Sequence, residues 1–343
     1  MQAEIQQDIA NFYGWDTMSI EPIATGLINH TWKVNTGNKT YIVQQINNHV
    51  FKQPEYIDAN LQKINRYLQQ HAPGYLFTAP ITGVNGHSLY NIGNDFYRAF
   101  DYIPATHTLN VVQTPEQAFE AANQFGQFTA VLKGFDTKQL HPTIPDFHNL
   151  VVRYQQFQEA LKHADAQRRA KCMAEIGEIQ NEVNTVKHYG QLVQLQQLKT
   201  RVTHHDTKIS NVLFNKQEKA ICVIDLDTVM PGYFLSDVGD MIRTYTCPVS
   251  EEEKDPNKIQ VRKEFLQAIK EGYFNCMKDE LTDIEKTQFY FAGEAMIYMQ
   301  ALRFMTDYLM NNRYYKASYE SHNLVRTRNQ LRLLREFRKT IAS

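Results

Sequence analysis

The sequence predicts an α+β chain of two unequal lobes, a small one built on an antiparallel β-sheet and a larger, mainly helical one. Three observations carry this. The 343 residues are enough for about two domains at roughly 150 residues each. Short β-branched and aromatic runs fill residues 18 to 103. From residue 114 onward, helix starts and apolar spacings of three and four take over.

The first lobe reads as a meander. IEPIATG, HTWKVNT and KTYIVQQI are separated by turn residues such as Thr36-Gly37-Asn38. A helix interrupts it at PEYIDANLQKINRYLQQH, where Ile57, Leu61, Ile64 and Leu68 mark one apolar face. Two further strands are expected at ITGV and FYRAFDYI. Pro104 and the polar THTLN stretch then form a connector, which places the lobes at 1–104 and 105–343. Thr114-Pro115-Glu116-Gln117 opens a helix with a capping hydroxyl and Pro at the first position. Ala121, Phe125, Phe128 and Leu132 form its buried stripe, and Gly134 is expected to stop it in a left-handed conformation. Further helices are expected within 147–198, 251–278 and 283–312, the last opening on the capping pattern Thr282-x-x-Glu285. Between them lies a β island, VLF and AICVI flanking the turn NKQEKA.

Composition narrows the function. Hydrophobic residues at 43% and charged residues at 21% place the chain in the globular class. With 36 Lys+Arg against 37 Asp+Glu, no whole-chain field draws it to nucleic acid or anionic lipid. A neutral small molecule or a metal-neutralised anion remains as ligand, and a monomer or homodimer as assembly. The polar start has no secretory pattern, and the longest apolar run is broken by Asp225 and Asp227, so no membrane segment is expected. Cys172, Cys222, Cys247 and Cys276 form no C-x-x-C pair. A cytoplasmic location with reduced thiols is the expectation.

Chemistry concentrates around the β island. His204-His205-Asp206-Thr207-Lys208-Ile209-Ser210-Asn211 is followed by VLF and, fourteen residues after Asn211, by Asp225-Leu226-Asp227. H-x-D-x-x-x-x-N, a strand and a second aspartate form the arrangement of kinases. Phosphoryl transfer explains each residue type. A carboxylate, Asp206, orients the acceptor hydroxyl and receives its proton; an amide oxygen, Asn211, and a second carboxylate, Asp225, hold Mg²⁺. Lys208 reaches the transferring phosphoryl group, and His204 braces the loop. A zinc cluster around the two histidines would need a third ligand at zinc-type spacing, and none is present.

Ala24-Thr25-Gly26-Leu27-Ile28-Asn29-His30 lies where a kinase lobe folds over the phosphates, which makes Gly26 and Asn29 nucleotide-binding candidates. The usual third-strand lysine is missing. Gln44 stands in its place and Asn60 in that of its acidic partner. Gln44 brings no charge, so it is expected to hydrogen-bond a phosphate or to brace Asn60.

With these residues in view, the whole chain resembles the aminoglycoside phosphotransferase and choline kinase superfamily, which has the protein kinase-like fold, and within it the N-acetylhexosamine 1-kinase branch. The likeness runs through GLINHTWKV, TYIVQQINNHVF, RVTHHDTKISNVLF, VIDLDTVMPGYFLSDVGDMIR and SHNLVRTRNQLRLL. The resemblance implies ATP- and Mg²⁺-dependent phosphorylation of the anomeric hydroxyl of N-acetylglucosamine or N-acetylgalactosamine. It assigns Asp206 as base, Asn211 and Asp225 as metal ligands, and Asp101-Tyr102-Ile103 as the hinge whose backbone binds adenine. Arg303 and Tyr314 match sugar-contacting positions, and Asp237 matches a helix carboxylate that buttresses the catalytic loop. Asp240 and Arg243 are candidates for sugar contact or for a structural salt bridge. Leu27 departs from the branch, which has a histidine near the sugar there.

The acceptor region also has a reading of its own. Residues 298 to 328 combine Tyr298, Arg303, Asp307, Tyr308, Tyr314, Tyr315, His322 and Arg326, the mixture of aromatic faces and hydrogen-bonding groups that a polyol needs. A polycationic antibiotic would call for a carboxylate-rich cleft instead. Three alternatives stay open at this level: a kinase of another sugar or amino alcohol on the same fold, a non-catalytic nucleotide-binding regulator, and a pure interaction protein on this scaffold, which would not need the metal-binding residues.

Overall fold

The structure, a computed structural model, describes residues 3–16, 18–23 and 28–343. The first lobe holds α1 (Ala3–Tyr13), β1 (Ser19–Ile23), β2 (His30–Asn35), β3 (Thr40–Ile46), α2 (Pro54–His71), β4 (Leu89–Ile92) and β5 (Asp95–Asp101). Its five strands form one antiparallel sheet in the order β1-β2-β3-β5-β4. Side-chain alternation gives that sheet two faces. Val34, Val43, Tyr97 and Ala99 pack on Ile9 and Tyr13 of α1, while Gln44, Arg98 and Phe100 border the cleft behind. The expected stripe of α2, Ile57, Leu61, Ile64 and Leu68, is fully buried in the main core together with Ile46. Each such side chain stabilises the fold by about 2 kcal/mol relative to exposure.

One expectation fails in this lobe, and one element had none. The fourth strand lies at Leu89–Ile92 and not at ITGV. Gly83 sits against Phe12 of α1, where a Cβ would come within 2.6 Å of the Phe12 carbonyl oxygen, and its amide bonds the His87 carbonyl in a turn. Apolar character there serves packing and not a ladder. The helix α1 had no counterpart in the strand reading, because its apolar residues meet the sheet only in the tertiary fold.

The second lobe begins with β6 (Thr106–His107) and α3 (Pro115–Val131), followed by α4 (Leu150–His163), α5 (Ala166–Ala170), α6 (Met173–Asn181) and α7 (Val183–Gln194). The β-rich stretch comes next, with β7 (Arg201–Thr203), β8 (Val212–Asn215), β9 (Ala220–Val223) and β10 (Met230–Gly232). The chain closes with α8 (Phe234–Thr246), α9 (Lys263–Met277), α10 (Asp283–Thr287), α11 (Phe289–Leu309) and α12 (His322–Ala342). The β8–β9 hairpin forms as expected and adds β6 on its other side. Thr114 caps α3 by accepting from the Gln117 amide, and Thr282 with Glu285 forms a complete capping box. Gly134 does not take the left-handed stop: α3 ends at Val131, and the glycine is needed where a Cβ would lie 2.6 Å from the Tyr67 hydroxyl. Residues 251–262 are not helical, since Pro256 cannot supply a helical N–H and α9 starts only at Lys263.

Helices α3 and α9 approach closely enough for their backbones to touch. A Cβ on Gly272 would sit 2.3 Å from the Phe119 carbonyl oxygen, and one on Gly126 would sit 3.0 Å from that of Tyr273. Because backbone cannot yield as a side chain end can, Gly272→Ala is expected to destabilise the protein by about 3 kcal/mol. Gly74→Ala, with nothing near the added methyl, should stay within about 0.5 kcal/mol. Urea unfolding of the two variants checks this, and equal midpoints would remove the close-packing argument.

Candidate active site

The site grows from the segment between β7 and α8. Arg201, at the start of β7, is buried and makes a two-pronged ion pair with Glu285 at 2.7 and 2.8 Å, which ties the strand to α10. After Thr203 the chain leaves the ladder, and its amides need other acceptors. Two carboxylates from the first turns of α8 supply them. Asp237 accepts from the His204 and His205 amides at 3.0 and 2.7 Å, and Asp240 accepts from the Thr207 amide at 2.9 Å. The Thr207 hydroxyl donates to the Asp237 carbonyl, and the buried Tyr245 hydroxyl donates to the Thr207 carbonyl. Helix α8 is thus the mould of the loop.

The two histidines are structural. His204 donates from Nε2 to the Ile224 carbonyl at 3.0 Å while its Nδ1 accepts from the Asp206 amide at 3.3 Å, so the ring is neutral with its proton on Nε2. Thr228 holds its carbonyl at 2.7 Å, and Phe125 meets the ring edge to face. His205 adopts a left-handed backbone, φ 67°, against Gly232, where a Cβ would stand 2.4 Å from its ring. His148 and His205 share the Ser236 hydroxyl through their Nδ1 atoms, at 2.6 and 2.8 Å. Burial pushes all three imidazoles down, His204 to about 4 and His205 to about 3.

Asp206, Lys208, Asn211 and Asp225 converge in front of this brace. Lys208 Nζ lies 2.8 Å from Asp206 Oδ2 and 3.7 Å from Asp225 Oδ2. The Asn211 amide nitrogen donates to the Asp206 carbonyl at 2.9 Å and to its carboxylate at 3.0 Å. Burial works to raise the Asp206 carboxyl, but Lys208 and the Asn211 hydrogen bond outweigh it and hold the group below the ordinary range. Asp225, in a left-handed conformation with φ 60°, is pushed up to about 6 by burial and by the neighbouring charge of Asp227. An oxygen-liganded divalent cation suits this donor set: both Asn211 contacts use its nitrogen, which leaves Oδ1, and the raised Asp225 carboxyl gains from a nearby positive charge. Among the described residues there is no cluster of three or more His, Cys, Asp or Glu side chains fit to hold a metal, so further ligands would come from the bound phosphates and water.

These four residues line a cavity of about 860 Å³ that runs from Gln44 and Phe100 on the sheet to Arg243 and Glu251 beyond α8. Asp101, Tyr102 and Ile103 line its mouth, with Asp101 paired to Lys39 at 2.6 Å and the Ile103 carbonyl accepting from Thr106. Arg243 also lines it, held by Asp240 at 3.0 Å and Glu251 at 3.1 Å. Other candidates stand elsewhere. Asn29 is outside the lining and bonds Asp227 at 2.7 Å and the Asn47 amide at 3.0 Å. Arg303 lies over the Phe147 and Tyr315 rings, and Tyr314 is 65% exposed, neither in the lining of this cavity. Gly26 lies outside the described residues.

The expected Gln44–Asn60 contact does not form. Asn60 is fully buried but bonds the His141 backbone through both ends of its amide and the Val229 carbonyl at 3.1 Å, so it ties α2 to the second lobe. Gln44 instead accepts from Arg98, its cross-strand neighbour on β5, at 2.8 and 3.2 Å. Arg98 in turn makes a buried ion pair with Asp227. The reading of the sequence overlooked Arg98. Its signal was a charge in the middle of FYRAFDYI, alone on the strand face it shares with Phe96 and Phe100.

Because the folded His204 gains a proton only near pH 4 while an unfolded histidine gains one near 6.5, acidification through that window favours unfolding. Between pH 5 and 6 the unfolding free energy of the native protein should therefore fall about 1.4 kcal/mol per pH unit more steeply than that of His204→Gln. Urea titrations at pH 5, 6 and 7 measure the two slopes, and parallel lines would contradict a neutral, buried His204.

A family model described as "Phosphotransferase enzyme family" matches residues 19–277 of this chain. Solved structures are similar over nearly its whole length. An aminoglycoside phosphotransferase from Alicyclobacillus acidocaldarius is 15% identical with a TM-score of 0.65, covering 98% of this chain and 96% of its own. A choline kinase from Cryptosporidium parvum is 14% identical with a TM-score of 0.59, covering 98% and 97%. An amicoumacin kinase in complex with AMP-PNP and Ca²⁺ is 15% identical with a TM-score of 0.61, covering 96% and 93%. At these identities the likeness speaks for the fold alone, the protein kinase-like fold. The family match spans three quarters of the residues and includes Asp206, Asn211 and Asp225, and the chain belongs to the phosphotransferase enzyme family.

Proposed function

We propose that the protein is an ATP- and Mg²⁺-dependent kinase that phosphorylates the anomeric hydroxyl of an N-acetylhexosamine, giving the sugar 1-phosphate and ADP. The observation that carries the kinase reading is the convergence of Asp206, Lys208, Asn211 and Asp225 on one cleft between sheet and helices. Adenine would lie against the Asp101–Ile103 segment. Asp206 orients the O1 hydroxyl and takes its proton as the bond from O1 to the γ-phosphorus forms and the bond to the β-phosphate oxygen breaks. Lys208 then has two tasks: it keeps Asp206 ionised before transfer and offers its ammonium to the moving phosphoryl group. Asn211 and Asp225 would hold Mg²⁺, which when bound offsets phosphate charge.

The choice of a neutral sugar rests on the resemblance and on the charges of the acceptor end. Glu251 and Asp240 there both bond Arg243, so a cationic amino alcohol or antibiotic would find neither carboxylate without a cationic partner. Arg243 is the sugar contact we place in the cleft, with Arg303 and Tyr314 joining from the neighbouring Tyr315 region.

Asp206→Asn should fold normally and lose roughly 10²- to 10⁴-fold in turnover. Acceptor-dependent ADP release with MgATP, followed by phosphorus NMR of the product, identifies the acceptor. N-acetylgalactosamine or N-acetylglucosamine should give an anomeric phosphate while choline, glucose, galactose and kanamycin give far less. Turnover of choline or kanamycin alone would replace the sugar with a cationic acceptor, and a fully active Asp206→Asn would remove the base.

A further inference from the structure

A kinase site without the third-strand lysine lacks the cation that usually holds the nucleotide's phosphates, and its aspartates deepen the deficit. Asp206, Asp225 and Asp227 all stand within one loop system, against few positive charges. Among the described residues only three lysine or arginine side chains line the cavity: Arg98, Lys208 and Arg243. In two of them every side-chain nitrogen already contacts a carboxylate. Lys208 is shared between Asp206 and Asp225, and every nitrogen of the Arg243 guanidinium bonds Asp240 or Glu251.

Arg98 differs. It is 1% exposed, directly opposite Gln44 in the β3–β5 ladder, and its Nε and Nη2 are used on Gln44 and Asp227. Its Nη1 is buried and has no hydrogen-bond partner among the described residues. A guanidinium carries five donors and no acceptor, so an oxygen-rich anion is the natural complement of the unused pair. The same contacts orient Gln44: its Oε1 accepts from Arg98, leaving its NH₂ group with only a long 3.4 Å contact to the Thr31 hydroxyl. Asp227, fixed from its other side by Asn29, keeps the guanidinium from swinging away.

We propose that Arg98 replaces the missing lysine as the polyphosphate-binding residue of this protein, with the Gln44 amide as its second donor. This rests on the kinase reading above. The cation has moved from β3 to the neighbouring strand, and its anchor has moved from α2 to Asp227, two residues beyond the proposed metal ligand Asp225. Arg98 thereby links phosphate binding to the position of the metal-holding loop.

Calorimetric titration of the full-length protein with MgATP and, separately, with adenosine tests this, because adenosine reads the hinge alone. Arg98→Lys keeps the buried charge pair with Asp227 but lacks the extra donors. Arg98→Gln combined with Asp227→Asn removes both charges, so that none is left stranded. Each variant is expected to bind MgATP at least tenfold more weakly than the native protein, with adenosine affinity within twofold. An unchanged ratio of MgATP to adenosine affinity in either folded variant would overturn the role of Arg98. A native protein that binds MgATP no better than adenosine would instead overturn the kinase reading on which it rests.

Discussion

The molecule is organised around the cost of holding five aspartates in one buried region. Asp206, Asp225, Asp227, Asp237 and Asp240 crowd the loop system between β7 and α8, where a low dielectric magnifies their repulsion. Each is given a different solution. Asp237 takes two backbone amides, Asp240 an amide and Arg243, Asp206 Lys208 and Asn211, and Asp227 Arg98 and Asn29. Asp225 has the longer contact with Lys208, 3.7 Å, and burial together with the charge of Asp227 raises its carboxyl. That is the electrostatic state from which a divalent cation gains most.

This arrangement divides labour between structure and chemistry. The helix α8 carboxylates and the three neutral histidines settle the loop's backbone, so that Asp206 need not move to be in place. They belong to the hydrophobic core as much as to the site, with Phe125 of α3 against His204 and Tyr245 of α8 against Thr207. Close glycine contacts between α3 and α9 fix the layer behind.

The link between the lobes is also electrostatic. In the usual kinase a lysine on the third strand joins the helix of the first lobe. In this chain that helix is joined to the second lobe by a neutral amide, Asn60, while the sheet reaches Asp227 through Arg98. Two functions that one lysine normally serves, bracing and phosphate binding, would thus fall to different residues under the role proposed for Arg98. Absence of a motif residue therefore says little about activity until its neighbours on the same strand face are known.

Local pattern alone determined strands β1 to β3 and the helix after them, the stripe of α2, the caps at Thr114 and Thr282 and the β8–β9 hairpin, and it singled out the loop residues 204–211. Each follows from periodicity, from turn and cap residues, or from the spacing of polar residue types. Tertiary structure decided the rest. Helix α8 has an amphipathic sequence yet is buried on nearly every side, because its polar face carries Ser236, Asp237 and Asp240, whose partners lie in the loop it holds. Gly134 and ITGV took their roles from Tyr67 and Phe12, which are distant in sequence. Arg98 shows the reason most plainly: it is the one charge on its face of β5, and Gln44 and Asp227, 54 and 129 residues away, become its partners only when the chain is folded.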